Sequence, residues 1–145
     1  MYHIRKAGEQ DFQQIVALFQ EFALFEKLPE KMTNSVEQML REKEYFHCYV
    51  AVNEENEILA YVTYFFAYYT WIGKSLYMDD LYVRPAYRGK QIGTSLINTL
   101  IALAKEEKCH KMRWQVSGWN DPAIAFYKSL GATVDDVESN CDLIF

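Results

Sequence analysis

The chain has 145 residues and a formal net charge of −5, with 50% hydrophobic and 24% charged side chains. That length suits one domain, residues 1–145, around a single core, and 3 prolines and 6 glycines give no sign of disorder or repeats. A pI near 5.2 excludes the broad basic face that non-specific nucleic-acid binding needs. No apolar run approaches the ~18 residues of a membrane span, so no membrane partner is expected.

Residues 2–6 alternate and predict a first strand. Asp11 then starts a helix, with Gln14 three residues on as its capping-box partner. Phe12, Ile15, Val16, Leu18, Phe19, Phe22 and Ala23 give that helix a broad apolar face. Pro29 breaks the pattern, and a weaker helix is expected over residues 35–43. Strands follow at 46–52 and 58–69, joined by a polar turn. The second is rich in aromatics, which favour pleated surfaces. A turn at 70–74 leads to a strand over 75–83. From Gly89 the period becomes helical, with Ile92, Leu96, Ile97, Leu100, Ile101 and Ala104 on one side. Residues 111–116 predict another strand. Asn120 or Asp121 then caps a helix with Pro122 in its first turn, and Gly131 ends it. Residues 141–145 predict a last strand. The order β-α-(α)-β-β-β-α-β-α-β implies an α/β fold, a mixed sheet with helices on its faces.

Cys48, Cys109 and Cys141 are odd in number and lack C-x-x-C spacing. They fit free thiols in a reducing, cytoplasmic setting rather than disulfides or zinc. His3, His47 and His110 are scattered singly, so no metal site is expected.

Against the acidic background, Arg84, Arg88 and Lys90 gather within seven residues, just before a helix. A helix start offers backbone N–H groups without intrahelical partners and a partial positive charge, which together bind anions. Gly89 and Gly93 let the backbone approach a ligand closely. The stretch is neither a G-x-x-x-x-G-K-[ST] P-loop nor a G-x-G-x-x-G fingerprint.

It resembles the pyrophosphate loop of the GCN5-related N-acetyltransferases, Gln/Arg-x-x-Gly-x-Gly/Ala after a strand ending in apolar-x-Val. Arg88 fills the first position and Gly93 the last, with Gln91 where the middle glycine is usual. Residues 119–132, WNDPAIAFYKSLGA, resemble that family's W-N-x-x-A/S-x-x-F-Y-x-x-x-G segment. Residues 64–83, YFFAYYTWIGKSLYMDDLYV, are similar to its spermidine/spermine branch, which includes thialysine acetyltransferases.

The resemblance implies acetyl transfer from acetyl-CoA to a primary amine of a small cationic substrate, a polyamine or a lysine-like amino acid. Arg88, Gly89, Lys90, Gln91, Ile92, Gly93 and Thr94 would hold the pyrophosphate. Leu81, Tyr82 and Val83 would offer backbone groups to the pantetheine arm, and Asn120, Asp121, Pro122 and Ala123 would approach the cofactor from the other side. Tyr127 would be the general acid that protonates the departing thiolate, since a phenol stays neutral at pH 7. An amine is mostly protonated at that pH, so an acid must accept its proton. Asp79 is that candidate. Asp79 and Asp80 are consecutive and should point to opposite faces of their strand, one into a cleft and one elsewhere. Glu26 and Arg113 fall at further substrate-side positions, and Phe25 replaces the family's tyrosine before Glu26. Such proteins are expected to be homodimers. The other reading of the same loop is a non-catalytic acyl-CoA-binding sensor or interaction module. Only the enzyme needs Tyr127 and a nearby acid.

Overall fold

A computed structural model describes residues 1–145. It separates into two compact units, residues 1–114 and 115–145.

The first unit is built on a five-stranded sheet in the order β1-β2-β3-β4-β5. Its strands are β1 (His3–Lys6), β2 (His47–Val52), β3 (Ile58–Tyr69), β4 (Gly73–Val83) and β5 (Lys111–Arg113). The first three pairings are antiparallel, and β4 pairs with β5 in parallel. Helices α1 (Phe12–Phe25), α2 (Val36–Arg41) and α3 (Ile92–Glu106) complete this unit. A parallel β4–β5 pair needs a crossover, and α3 supplies it. Residues 58–64 of β3 are buried without a break. A strand buried at every position must be covered on both faces. On one face Phe12, Ile15 and Leu18 of α1 pack with Val50, Val52, Ile58, Tyr61 and Tyr82. The other parity of the strands, Ala51, Ala60 and Val62, is fully buried as well. Helix α3, which contacts β2, β3 and β4, carries the matching stripe of Ile92, Leu96, Ile97 and Leu100.

The cap expected at α1 takes a different form. Asp11 accepts two hydrogen bonds from Arg5, at 2.7 and 2.9 Å, and one from the Gly8 N–H at 2.8 Å. Its carboxylate therefore closes a preceding 3₁₀ turn, Glu9–Asp11. Gln14 instead accepts from the Ile58 N–H at 3.0 Å, tying α1 to the start of β3. A buried carboxylate is drawn to a guanidinium more strongly than to an amide at the helix start.

The second unit contains α4 (Asp121–Ser129), with Asn120 as its N-cap accepting from the Ala123 N–H. Gly131 follows at φ 93, and the Ala132 N–H returns to the Tyr127 C=O. The strand expected at 141–145 does not form, and the one expected over 111–116 ends at Arg113. A strand exists only with a ladder partner, and 141–145 has none, so Leu143, Ile144 and Phe145 are exposed. No helix is long and apolar enough to cross a membrane.

Candidate active site

Strand β4 carries the feature that organises the site. Val62 pairs with Leu81 and Tyr64 with Met78, so Thr63 alone stands opposite both Asp79 and Asp80. One strand thus holds an extra residue, a β-bulge. Met78 and Leu81 share the face of Val62 and Tyr64, so both acids fall on Thr63's face. The expected divergence of Asp79 and Asp80 is corrected: two-residue alternation fails because the extra residue resets it.

Both acids line one cleft of about 500 Å³ in the first unit, with Phe19, Phe22, Ala23 and Glu26 from the end of α1. Tyr45, Phe46, His47, Tyr64 and Phe65 also line it, and Lys31 and Asn34 lie along the rim segment after α1. Asp79 is exposed to the cleft and Asp80 half-buried. Loss of hydration raises the pKa of both. Asp80 is pushed up to about 7, first by desolvation, then by the neighbouring charges of Asp79 and Glu26, against a lowering hydrogen bond from Tyr61. Tyr61 donates that bond at 3.3 Å, and the Asp80 N–H donates to Thr63 Oγ1 at 3.0 Å. Three carboxylates in an aromatic-walled cleft make a receptor for a cation with an apolar stem.

The basic loop is resolved into parts. Arg84 is engaged by Glu57 at 2.9 Å, with Glu21 at 4.0 Å, so it serves the fold. Arg88 donates to the Val83 C=O at 2.8 Å, and its guanidinium lies 4.9 Å from the Phe25 ring and 5.6 Å from Tyr82. Phe25 thus gives Arg88 an aromatic platform, which needs no hydroxyl. Lys90 lies over Tyr87 at 6.0 Å. Gly89 has φ 77 and Gln91 φ 67, two left-handed residues that turn the chain into α3. The first turn of α3 is closed by the Ser95 N–H on the Gln91 C=O, which leaves the N–H groups of Ile92, Gly93 and Thr94 outside the helical ladder. A diphosphate fits such a cradle of amides and cations.

Arg113 is not among the cleft's lining. Its guanidinium lies 4.7 Å from the Tyr69 ring, and it pairs with Tyr77 across β4–β5. Tyr82 is buried, stacks on Phe22 at 5.0 Å and donates to Glu21 at 2.6 Å. Leu81 and Val83 flank it along the outer half of β4. Tyr127 is buried on α4 beside Phe126, with ring centroids 5.5 Å apart. The aromatic stretch of β3 and the turn after it divides. Tyr61 and Tyr64 are buried, whereas Phe66, Tyr68 and Trp71 toward the hairpin tip are exposed. The side chains of His, Cys, Asp and Glu form no group that could hold a metal ion.

Sequence reasoning missed Thr63 and Tyr61. The one signal available was Thr63 itself, a threonine inside an otherwise apolar and aromatic strand; that it stands opposite the two acids follows only from the register of β3 against β4.

The model of the Acetyltransferase (GNAT) family matches residues 12–132. The chain belongs to this family. A thialysine N-ε-acetyltransferase of Mus musculus is 38% identical over 141 residues, covering 89% of this chain and 82% of its own. The spermidine/spermine N(1)-acetyltransferase-like protein 1 of Homo sapiens is 32% identical, covering 90% of this chain and 20% of its own. A solved structure described as a transcriptional regulator from Bacillus halodurans C-125 superposes with a TM-score of 0.80 at 25% identity, covering 100% of both chains. One fold thus carries several descriptions. The family and its named acetyltransferase relatives make this chain an acetyl-CoA-dependent N-acetyltransferase.

Proposed function

We propose that the enzyme acetylates the terminal amine of a small cationic substrate, a polyamine or a lysine-like amino acid. The observation that carries this reading is the convergence of Asp79, Asp80 and Glu26 on one aromatic-walled cleft. The carboxylates draw in an ammonium group, and the rings cover its methylene stem. Acetyl-CoA, when bound, supplies the acetyl thioester and a CoA thiolate as leaving group. Arg88, Lys90 and the amides from Gly89 to Thr94 are assigned its diphosphate. Leu81, Tyr82 and Val83 are assigned the pantetheine arm, and Asn120, Asp121, Pro122 and Ala123 the cofactor's other side.

Asp79 and Asp80 together accept the ammonium proton, directly or through water. A pair this close shares its titration, and a carboxyl ionising near 7 can both hold an ammonium and take a proton at neutral pH. Tyr127 Oη returns a proton to the departing sulfur, an assignment that rests on the family's tyrosine position. Arg113, 4.7 Å from the Tyr69 ring and outside the cleft's lining, keeps a substrate-side assignment from the family resemblance alone. A homodimer is the proposed assembly, supported by the exposed apolar side chains at 143–145. Three unpaired thiols fit a reducing, cytoplasmic setting.

The test is release of CoA thiol from acetyl-CoA with spermidine, spermine, thialysine, lysine, ornithine, an aminoglycoside and, as an amine uncharged at neutral pH, aniline. Turnover confined to the small cationic amines supports the reading. Turnover of none of them, or equal turnover of uncharged amines, overturns it.

A further inference from the structure

A bulge leaves backbone groups out of the ladder, and each must find another partner or cost free energy. Here the orphan is the Asp80 N–H, and its partner is a side chain: Thr63 Oγ1 at 3.0 Å. Thr63 is 7% exposed, so water cannot readily replace it. The same carboxyl accepts from Tyr61, whose ring is fully buried and held by Phe19 at 5.3 Å and Tyr82 at 6.2 Å. One strand, β3, therefore grips both ends of Asp80, its amide and its carboxylate.

We propose that Thr63 and Tyr61 are positioning residues for the acceptor amine, holding the bulge of β4 so that the carboxylates of Asp79 and Asp80 enter one cleft. The inference rests on the amine-binding reading above for its kinetic consequence, but not for its structural one. Without the Thr63 hydroxyl, the bulge gains by sliding to regular pairing, and regular pairing sends one of the two acids to the α3 face. Without the Tyr61 hydroxyl, the bulge stays, but Asp80 loses a donor that favours its charged form. At 3.3 Å the Tyr61 bond is long, so Thr63 carries the larger share. The charged and titratable groups facing Asp80 are Asp79 on its own strand, Glu26 at the end of α1, Tyr61 on β3 and Cys48 on β2, with Lys31 and His47 further along the cleft.

The experiment uses the full chain and the variants Thr63→Val, Thr63→Ser and Tyr61→Phe. Side-chain carboxyl ¹³C resonances of Asp79 and Asp80 are titrated without substrate, and KM is measured separately for acetyl-CoA and for thialysine and spermidine. Thr63→Val should raise the amine KM about tenfold, the worth of one lost buried hydrogen bond, and by more than it raises acetyl-CoA KM, which senses the slide only through Leu81 to Val83. It should also change the titration of both carboxyls. Thr63→Ser keeps the hydroxyl and should restore both readouts. Tyr61→Phe should move the Asp80 titration and the acid limb of kcat/KM to higher pH, because the lost bond favoured the charged form.

A folded Thr63→Val with wild-type carboxyl titration overturns the proposal, whatever the kinetics. If Thr63→Val fails to fold, an unmoved Asp80 titration in Tyr61→Phe, together with Thr63→Ser failing to match wild type, overturns it. If the wild type acetylates neither amine, the functional reading fails and the carboxyl titrations still decide the positioning of Asp80.

Discussion

Asp79 and Asp80 are chain neighbours that share one face of β4, because Thr63 alone stands opposite the pair. The cleft thus holds two adjacent carboxylates with Glu26 as a third, the set to which the acceptor amine is assigned. Asp79→Asn should raise the KM of the preferred amine and lower kcat if that carboxylate also passes on the proton. Each lost charge-assisted hydrogen bond is worth about 1.5–3 kcal/mol, or roughly a ten- to hundredfold loss in kcat/KM. Steady-state kinetics with amine and acetyl-CoA varied separately check this. Unchanged amine kinetics would remove Asp79 from the site.

The pH dependence follows from the same pair. Both pKa values are raised, that of Asp80 to about 7, chiefly by desolvation. If the amine is held by the charged form, as proposed, kcat/KM should fall as pH drops through about 7. For stability the sign is opposite to that of an ion-paired acid. Between the ordinary carboxylate range, near ~4, and about 7, the folded protein binds more protons than the unfolded chain, so stability falls as pH rises across that window. Asp80→Asn keeps an acceptor for Tyr61 but removes the buried charge. It should melt higher than wild type at pH 8 while acetylating amines poorly, a stability gained at the expense of function. Melting curves at pH 5 and pH 8 check it, with the difference between proteins confined to pH 8.

Asp11 shows the ordinary sign. Its hydrogen bonds from Arg5 hold its pKa below the usual carboxylate range. That stability is fully present above the unfolded value near ~4 and is lost as pH falls through the lower folded value. Its side chain is 1% exposed and that of Arg5 25%. Asp11→Asn should therefore cost about 2 kcal/mol at pH 7, allowing for the partly wet guanidinium. Urea unfolding at pH 7 and pH 3 should show the gap narrowing at the lower pH.

Gln91 occupies φ 67 and ψ 12 at the entrance to α3. A residue with a Cβ in this region carries about 1–2 kcal/mol of strain, which glycine avoids while losing more chain entropy on folding. Gln91→Gly should then stabilise the fold by roughly 0.5–1 kcal/mol net. Gln91→Val, β-branched in the same conformation, should destabilise it. Because the backbone amide survives in Gln91→Gly, its acetyl-CoA Kd by calorimetry should match the wild type.

The order of elements was legible because each long element carries its own period. Ile92, Leu96, Ile97 and Leu100 could only be one face of a helix, and α3 bears this out. The bulge was not legible, since it arises from the register of β3 against β4, a relation between segments that neither sequence displays alone. The same reason hid the partner of Arg84: Glu57 lies 27 residues away along the chain. Residues 141–145 misled in the other direction. Their apolar pattern is that of a strand, but a pattern cannot supply the neighbour that a ladder needs. Where a side chain's meaning depended on a local motif, the sequence came close: it narrowed the cap of α4 to Asn120 or Asp121, and the hydrogen bond from the Ala123 N–H decides for Asn120.

Tyr127 tests the catalytic reading most directly. Tyr127→Phe keeps the ring beside Phe126 and removes the hydroxyl assigned to protonate the thiolate. A positioned general acid contributes about 10²–10⁴-fold, so kcat should fall into that range. Acetyl-CoA affinity should hardly change, since the diphosphate is assigned to Arg88, Lys90 and the loop amides. A tyrosine that only fills space would behave in the reverse way, with a modest loss in melting temperature and near-normal turnover. Measuring kcat, acetyl-CoA Kd and the melting curve on one preparation separates the two. A folded variant that binds acetyl-CoA and turns over like the wild type removes Tyr127 as the acid and leaves water to protonate the sulfur.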